Sequence, residues 1–229
     1  MTHPAPGLSR LWRCLVLGCL VTLPAVTHLS ADPAEESSAN AVVGKVVEQM
    51  PRGGGYVWKS TGVPHTIRHD GQVILEKTSA DGTYCSGVTF TVVMETARRL
   101  DLLRDVPADR VKQFQRHWYG TDAESAETQC VYALQQLGIG EPVTPDLARP
   151  GDFVQFWRGK SGHSVIFLDW VRDEQGQRRG IRYWSSQKAT EGMGIHEEAF
   201  HGTHDADGTE GSVDPDRLYI GRLNHRPTN

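Results

Sequence analysis

The chain has no basic run and no strongly cationic half: 24 lysines and arginines face 28 acidic residues, for a formal net charge of −4. Nucleic-acid binders carry a basic patch or stripe, so that class is set aside. No apolar stretch reaches the roughly 20 residues that a membrane-spanning helix needs. The candidate run, residues 14–26, is broken by Gly18, Thr22 and Pro24. Cysteine is scarce. Of four, Cys14 and Cys19 lie in that run, which leaves Cys85 and Cys130. A disulfide between those two is the plain structural alternative to chemistry at either. What is present is material for one domain: 229 residues, 38% hydrophobic, too short for two large cores. With 24 glycines and 12 prolines, a loop-rich α+β protein is expected.

The first 41 residues read as an export signal. Arg10 and Arg13 precede the apolar run, and small polar residues follow it. Ser37-Ser38-Ala39 offers a small-x-small cleavage site, while Ala31 lies nearer the run but has Leu29 three positions before the cut. The expected organisation is a signal peptide over 1–31, a linker and short helix over 32–52, and a hydrolase domain over 53–229. The mature protein is then secreted, periplasmic or held in the cell envelope. An uncleaved anchor is one alternative. Lipidation at Cys19 after Val16-Leu17-Gly18 is another, although the apolar run continues past Cys19.

Helical spacing of Val42, Val43, Val46 and Val47 predicts a short helix ending at Pro51. Tyr56-Val57-Trp58 and Gln72-Val73-Ile74-Leu75 read as strands, with a turn at Asp70-Gly71. Three helices follow: 86–103, 111–119 after Pro107, and 123–137 stopped by Gly138, with Cys130 in mid-helix. The second half alternates as strands at 152–157, 163–171, 181–185 and 217–223, with a polar turn over 173–180. Helices first and an antiparallel sheet after define an α+β fold with N-terminal helices packed on the sheet.

Cys85 sits where a loop turns into the first of those three helices. A thiol there feels the positive end of the helix dipole and free N–H groups, so a lowered pKa and a thiolate nucleophile are expected. The same N–H groups suit a developing oxyanion, with a side chain from Ser79 or Thr83 in support. His163 opens the strongest strand, at a position suited to a general base. Its structural alternative is a surface histidine at a strand end. The base needs an orienting partner, and Ser185, Ser186 and Gln187 end the next strand. Strand alternation puts Ser185 and Gln187 on one face, and the amide oxygen of Gln187 is the favoured acceptor for the ring N–H.

Three motifs carry a family resemblance. Tyr84-Cys85-Ser86-Gly87 resembles the Asp-Cys-Ser-Gly helix start of NlpC-type cell-wall peptidases. Pro150-Gly151-Asp152-Phe153 resembles their Pro-Gly-Asp-Leu strand, and Gly162-His163-Ser164-Val165 their Gly-His-Val strand. CHAP-type amidases share the Cys-then-His order. The resemblance spans roughly residues 78–190 and implies a papain-like fold. It implies hydrolysis of an amide bond, typically in peptidoglycan stem peptides, without cofactor or metal. Cys85, His163 and Gln187 are then catalytic, and Tyr84, Ser86, Trp184 and Ser185 are expected to touch substrate. Tyr84 replaces the family's Asp, and the interval from His163 to Gln187 exceeds its usual spacing. A wall-binding domain without catalysis and an acyl transferase on the same dyad are the alternatives.

The remaining candidates are weaker. His196, His201 and His204 with Asp205 and Asp207 read as a solvated loop rather than a metal cluster. Asp205-Ala206-Asp207-Gly208 lacks the closing Glu of a calcium loop. Trp118, Tyr119, Trp157 and Trp184 are expected chiefly in the core.

Overall fold

Ser38 starts the first helix by accepting a hydrogen bond from the Ala41 N–H at 3.2 Å. The computed structural model describes residues 38–58, 60–79, 81–205 and 207–225. The expected signal over 1–31 lies outside them. Helix α1 spans Ala39–Gln49 and buries Ala39, Val43 and Val46 in the main core. It is therefore part of the domain, not a lead-in to it. A cut after Ala39 would remove its cap.

A short strand β1 (Gly53–Gly54) follows, then the hairpin of β2 (Ile67–His69) and β3 (Gln72–Leu75). Asp70 and Gly71 turn it with φ of +47° and +71°, the paired positive values of a tight hairpin turn. Tyr56 forms only an isolated bridge to Thr83, so the strand expected at 56–58 is absent.

Helix α2 (Cys85–Arg99) is buried on nearly all sides. Two of its buried threonines are satisfied within it: Thr89 donates to the Cys85 carbonyl and Thr91 to the Gly87 carbonyl. Trp118 in α3 (Ala108–Trp118) donates its indole N–H to Thr89 Oγ1 at 3.1 Å and packs on Phe90, Phe114 and Phe153. The third expected helix is shorter than its spacing suggested. Gln129 holds φ +39° and ψ −100°, so only α4 (Cys130–Leu137) is helical, and Cys130 opens it rather than sitting mid-helix. Gly138 ends α4 at φ +76°.

The large sheet adds β4 (Gly140–Val143), β5 (Phe153–Arg158), β6 (Ser161–Arg172), β7 (Arg178–Gln187), β8 (Gly192–Ala199) and β9 (Leu218–Leu223). Its order is β1-β8-β7-β6-β5-β9-β4, antiparallel throughout. The fold is α+β, with four α-helices among the described residues. They are not all N-terminal, because β1, β2 and β3 intervene between α1 and α2. Strands β4 and β8 were not legible. β8 turns Ile195 outward and Glu198 inward, against the usual pattern. Among the described residues, no helix is long and apolar enough to cross a membrane.

Each sheet face has its own core. Phe153, Ile166, Trp184 and Met193 meet the helices, while Val154, Phe156, Val165, Tyr183 and Ile220 form the opposite cluster. Asp152, fully buried, ties the layers together. It accepts from Arg222 at 2.7 Å through both carboxylate oxygens, from Asn40 of α1 at 2.8 Å and from the Arg149 N–H. The Asp of the Pro-Gly-Asp segment is thus a clamp.

Gly87 lets α2 lie directly on the loop at Gly62. A Cβ at residue 87 would fall 2.2 Å from the Gly62 carbonyl carbon, backbone that cannot rotate away. Gly87→Ala is expected to cost about 1–3 kcal/mol in urea denaturation, the range for overpacking. An unchanged midpoint would show that this contact is loose.

Candidate functional site

Strands β6 and β7 pair from Arg172 and Arg178 up to Ile166 and Trp184, and then part. Beyond that point residues 161–165 pair with β5, and 185–187 pair with β8. Cys85, at the first position of α2, comes to this opening from the helix side. Its sulfur accepts from the Ser164 backbone N–H, inside the stretch where β6 has left β7. The Ser185 hydroxyl donates to the Ser164 carbonyl at 2.8 Å and closes part of the same gap.

His163 projects from the opposite face of β6, edge-on to Phe156 and Tyr183 with ring centroids 5.4 and 5.5 Å away. Its Nε2 lies 2.9 Å from Gln187 Oε1. An amide oxygen only accepts, so Nε2 carries the proton and Nδ1 keeps its lone pair. The parting of the strands joins the two faces. Cys85, His163 and Gln187 line one cavity of about 660 Å³, together with Tyr84 and Ser86.

Burial sets the charge states. Cys85 is 9% exposed and His163 5%. Loss of solvent raises the Cys85 thiol, outweighing the Ser164 and Ser86 hydrogen bonds that favour the thiolate. The lowered thiol pKa expected from the helix start is therefore overturned, because desolvation wins. Burial, then the charge of Arg158, pushes the His163 imidazole down to about 3. Both effects favour a neutral thiol and a neutral imidazole in the one cavity. Cys130 is a free, buried thiol pushed up to about 12 by its burial, and the two cysteines form no disulfide.

Sequence reasoning missed the support beneath Gln187. The Tyr183 hydroxyl sits 2.6 Å from Gln187 Oε1 and also meets the Glu198 carboxylate. Arg158 grips Glu198 through Nε at 2.5 Å and through Nη2. Burial raises the Glu198 carboxyl, but Arg158 more than offsets this and holds it below its ordinary value. Tyr183 was within reach of alternation, four residues before Gln187 on one strand face. Glu198 required recognising β8.

Other expected site residues fall elsewhere. Trp184 is 4% exposed and packs in the helix-side core, because alternation turns it away from Gln187. Ser185 is fully buried and donates to the Ser164 carbonyl, and neither Trp184 nor Ser185 lines the cavity. Ser186 faces Thr83, their hydroxyls 2.8 Å apart, and Thr83 does not line the cavity. Ser79 is not among the lining residues. Of the four aromatics considered for a groove, Tyr119 alone lines the cavity, joined by Tyr56 and Trp58. His196 lies on β8 and lines it too. Among the described residues, no group of three or more His, Cys, Asp or Glu side chains could hold a metal ion. No protein-family model, curated protein or solved structure matches the chain.

Alkylation tests the thiol order. Iodoacetamide should label Cys85 at a rate that climbs only above the ordinary thiol value of 9.0, while Cys130 stays silent in the native protein. Labelling of Cys130 ahead of Cys85 would overturn the choice of nucleophile. Acid stability tests His163. Its unfolded form binds a proton near 6.5 and its folded form near 3, so stability is lost as pH falls through that window. The contribution is about 2 kcal/mol by pH 5. His163→Gln should lose correspondingly less stability than wild type between pH 7 and pH 5, read by urea denaturation. Equal losses would mean that His163 takes up its proton at the ordinary value.

Proposed function

We propose that the chain is a papain-like cysteine hydrolase that cleaves an amide bond through an acyl-enzyme on Cys85. The observation that carries this reading is the meeting of Cys85, His163 and Gln187 in one cavity where β6 and β7 part. Further support comes from the layout. A nucleophile at a helix start, packed on an antiparallel sheet that carries its base, is the arrangement the three motifs imply.

The neutral pair defines the first step. As Cys85 Sγ attacks the carbonyl carbon, its proton passes to His163 Nδ1, the nitrogen that Gln187 leaves bare. The carbonyl oxygen becomes an oxyanion, and the Cys85 N–H, ahead of the α2 hydrogen-bond ladder, is the donor nearest to it in sequence. Collapse expels the amine, which takes the proton from His163, and a thioester remains. Water then attacks the thioester with His163 again as base, releasing the acid and restoring the thiol. Gln187 accepts from Nε2–H throughout and stabilises the imidazolium that forms transiently.

The substrate in this reading is a peptidoglycan stem peptide, and the site of action is outside the cytoplasm or in the envelope. Both follow from the motifs and from the amino-terminal pattern of Arg10, Arg13 and the apolar run. Digestion of purified peptidoglycan by wild type and by Cys85→Ala, read by mass spectrometry, tests it. New stem-peptide fragments are expected from wild type alone, and His163→Ala should lower their rate by roughly 10²–10⁴-fold. No cleavage by wild type, with Cys85 still reactive toward iodoacetamide, would remove peptidoglycan as the substrate. Equal cleavage by Cys85→Ala would remove the acyl-enzyme.

A further inference from the structure

We propose that the mouth of this cavity selects amide substrates bearing a carboxylate close to the scissile bond, held by Lys160 and Lys188. The inference rests on the reading of Cys85 as nucleophile and extends it to substrate class.

Charge carries the argument. The cavity is lined by three fixed cations, Arg158, Lys160 and Lys188, and by one acid, Glu198. Arg158 and Glu198 neutralise each other through paired contacts. The excess of two positive charges therefore rests on the lysines, in a chain whose formal net charge is −4. Among the described residues, neither the Lys160 nor the Lys188 ammonium group has an ion-pair or hydrogen-bond partner. Elsewhere Arg178, Arg182, Arg217 and Arg222 each face an acid.

Position adds to charge. Lys188 directly follows Gln187 at the end of β7, and Lys160 lies in the turn that leads into β6, three residues before His163. The two ammonium groups thus flank the opening on both arms. Like charges held at one cleft mouth focus a positive potential there, and an anion entering it relieves their repulsion. Each lysine is a flexible point-charge donor, suited to a carboxylate on a substrate of variable shape. Tyr56, Tyr119 and Trp58, the last 67% exposed, add apolar surface at the same cavity for the remainder of a peptide. An anionic peptide fits such a site, and a cationic one is repelled.

The test uses Cys85 as its own reporter. Its alkylation rate with iodoacetate, divided by that with iodoacetamide, is compared with the same ratio for the uncharged thiol 2-mercaptoethanol. In wild type the ratio should exceed the reference by roughly 3- to 10-fold at low salt, shrinking toward it in 0.5 M NaCl as the field is screened. The double variant Lys160→Gln/Lys188→Gln should bring it to the reference value. A wild-type ratio equal to the reference, or one untouched by the double substitution, overturns the proposal. If Cys85 reacts with neither reagent, the nucleophile reading fails separately. The charge question is then answered by NMR titration of the intact chain with N-acetylglutamate and with N-acetylglutamine amide. Selective binding of the acid, lost in the double variant, supports the carboxylate site, and equal or absent binding of the pair overturns it.

Discussion

The parting of β6 from β7 is the constraint on which the site depends. His163 and the helix start lie on opposite faces of the sheet. In a closed ladder the Ser164 N–H and the space beside it would be taken up by β7. Because pairing ends at Ile166 and Trp184, that N–H turns to the Cys85 sulfur. The gap also lets Gln187 reach the ring of His163 across strands no longer joined by backbone bonds. The thiol is held in place by contacts on both sides. Gly87 seats α2 on the Gly62 backbone, and the Ser86 hydroxyl lies 3.5 Å from that of Ser164.

Burial governs the electrostatics of the site. A helix dipole contributes at most about 2 kcal/mol in favourable settings, while removing a thiolate from water costs more unless it is paired. The resting site is accordingly neutral at both proposed catalytic groups. The charge is placed one layer further down, where Arg158 and Glu198 compensate each other, with Tyr183 between Glu198 and Gln187. An imidazole buried near a guanidinium resists protonation, so it stays in the form that accepts a proton from the thiol. The unpaired charge is left at the rim, on Lys160 and Lys188, where water solvates it.

Much of the architecture was legible because burial leaves a periodic trace. The stripe of α1, the Asp70-Gly71 hairpin turn and the apolar strands β5, β6 and β7 all announce themselves in the order of residues. Elements whose pattern is set by a neighbour did not. The 123–129 segment reads as helix until Gln129 takes a positive φ. Strand β8 puts Glu198 inside because Arg158 and Tyr183 wait for it there, which no local window reveals.

By itself the sequence determined the α+β class, one domain's worth of core and the choice of Cys85, His163 and Gln187 as residues worth bringing together. Local chemistry suffices for these, since periodicity reports burial and residue type reports capacity. Only the tertiary structure decided that the three share a cavity, that the thiol is desolvated rather than activated at rest, and that Trp184 and Ser185 lie apart from it. Those outcomes depend on distance and solvent access between segments well apart in the chain, 78 residues for Ser86 and Ser164 and 24 for His163 and Gln187. Such quantities exist only once the chain has closed on itself.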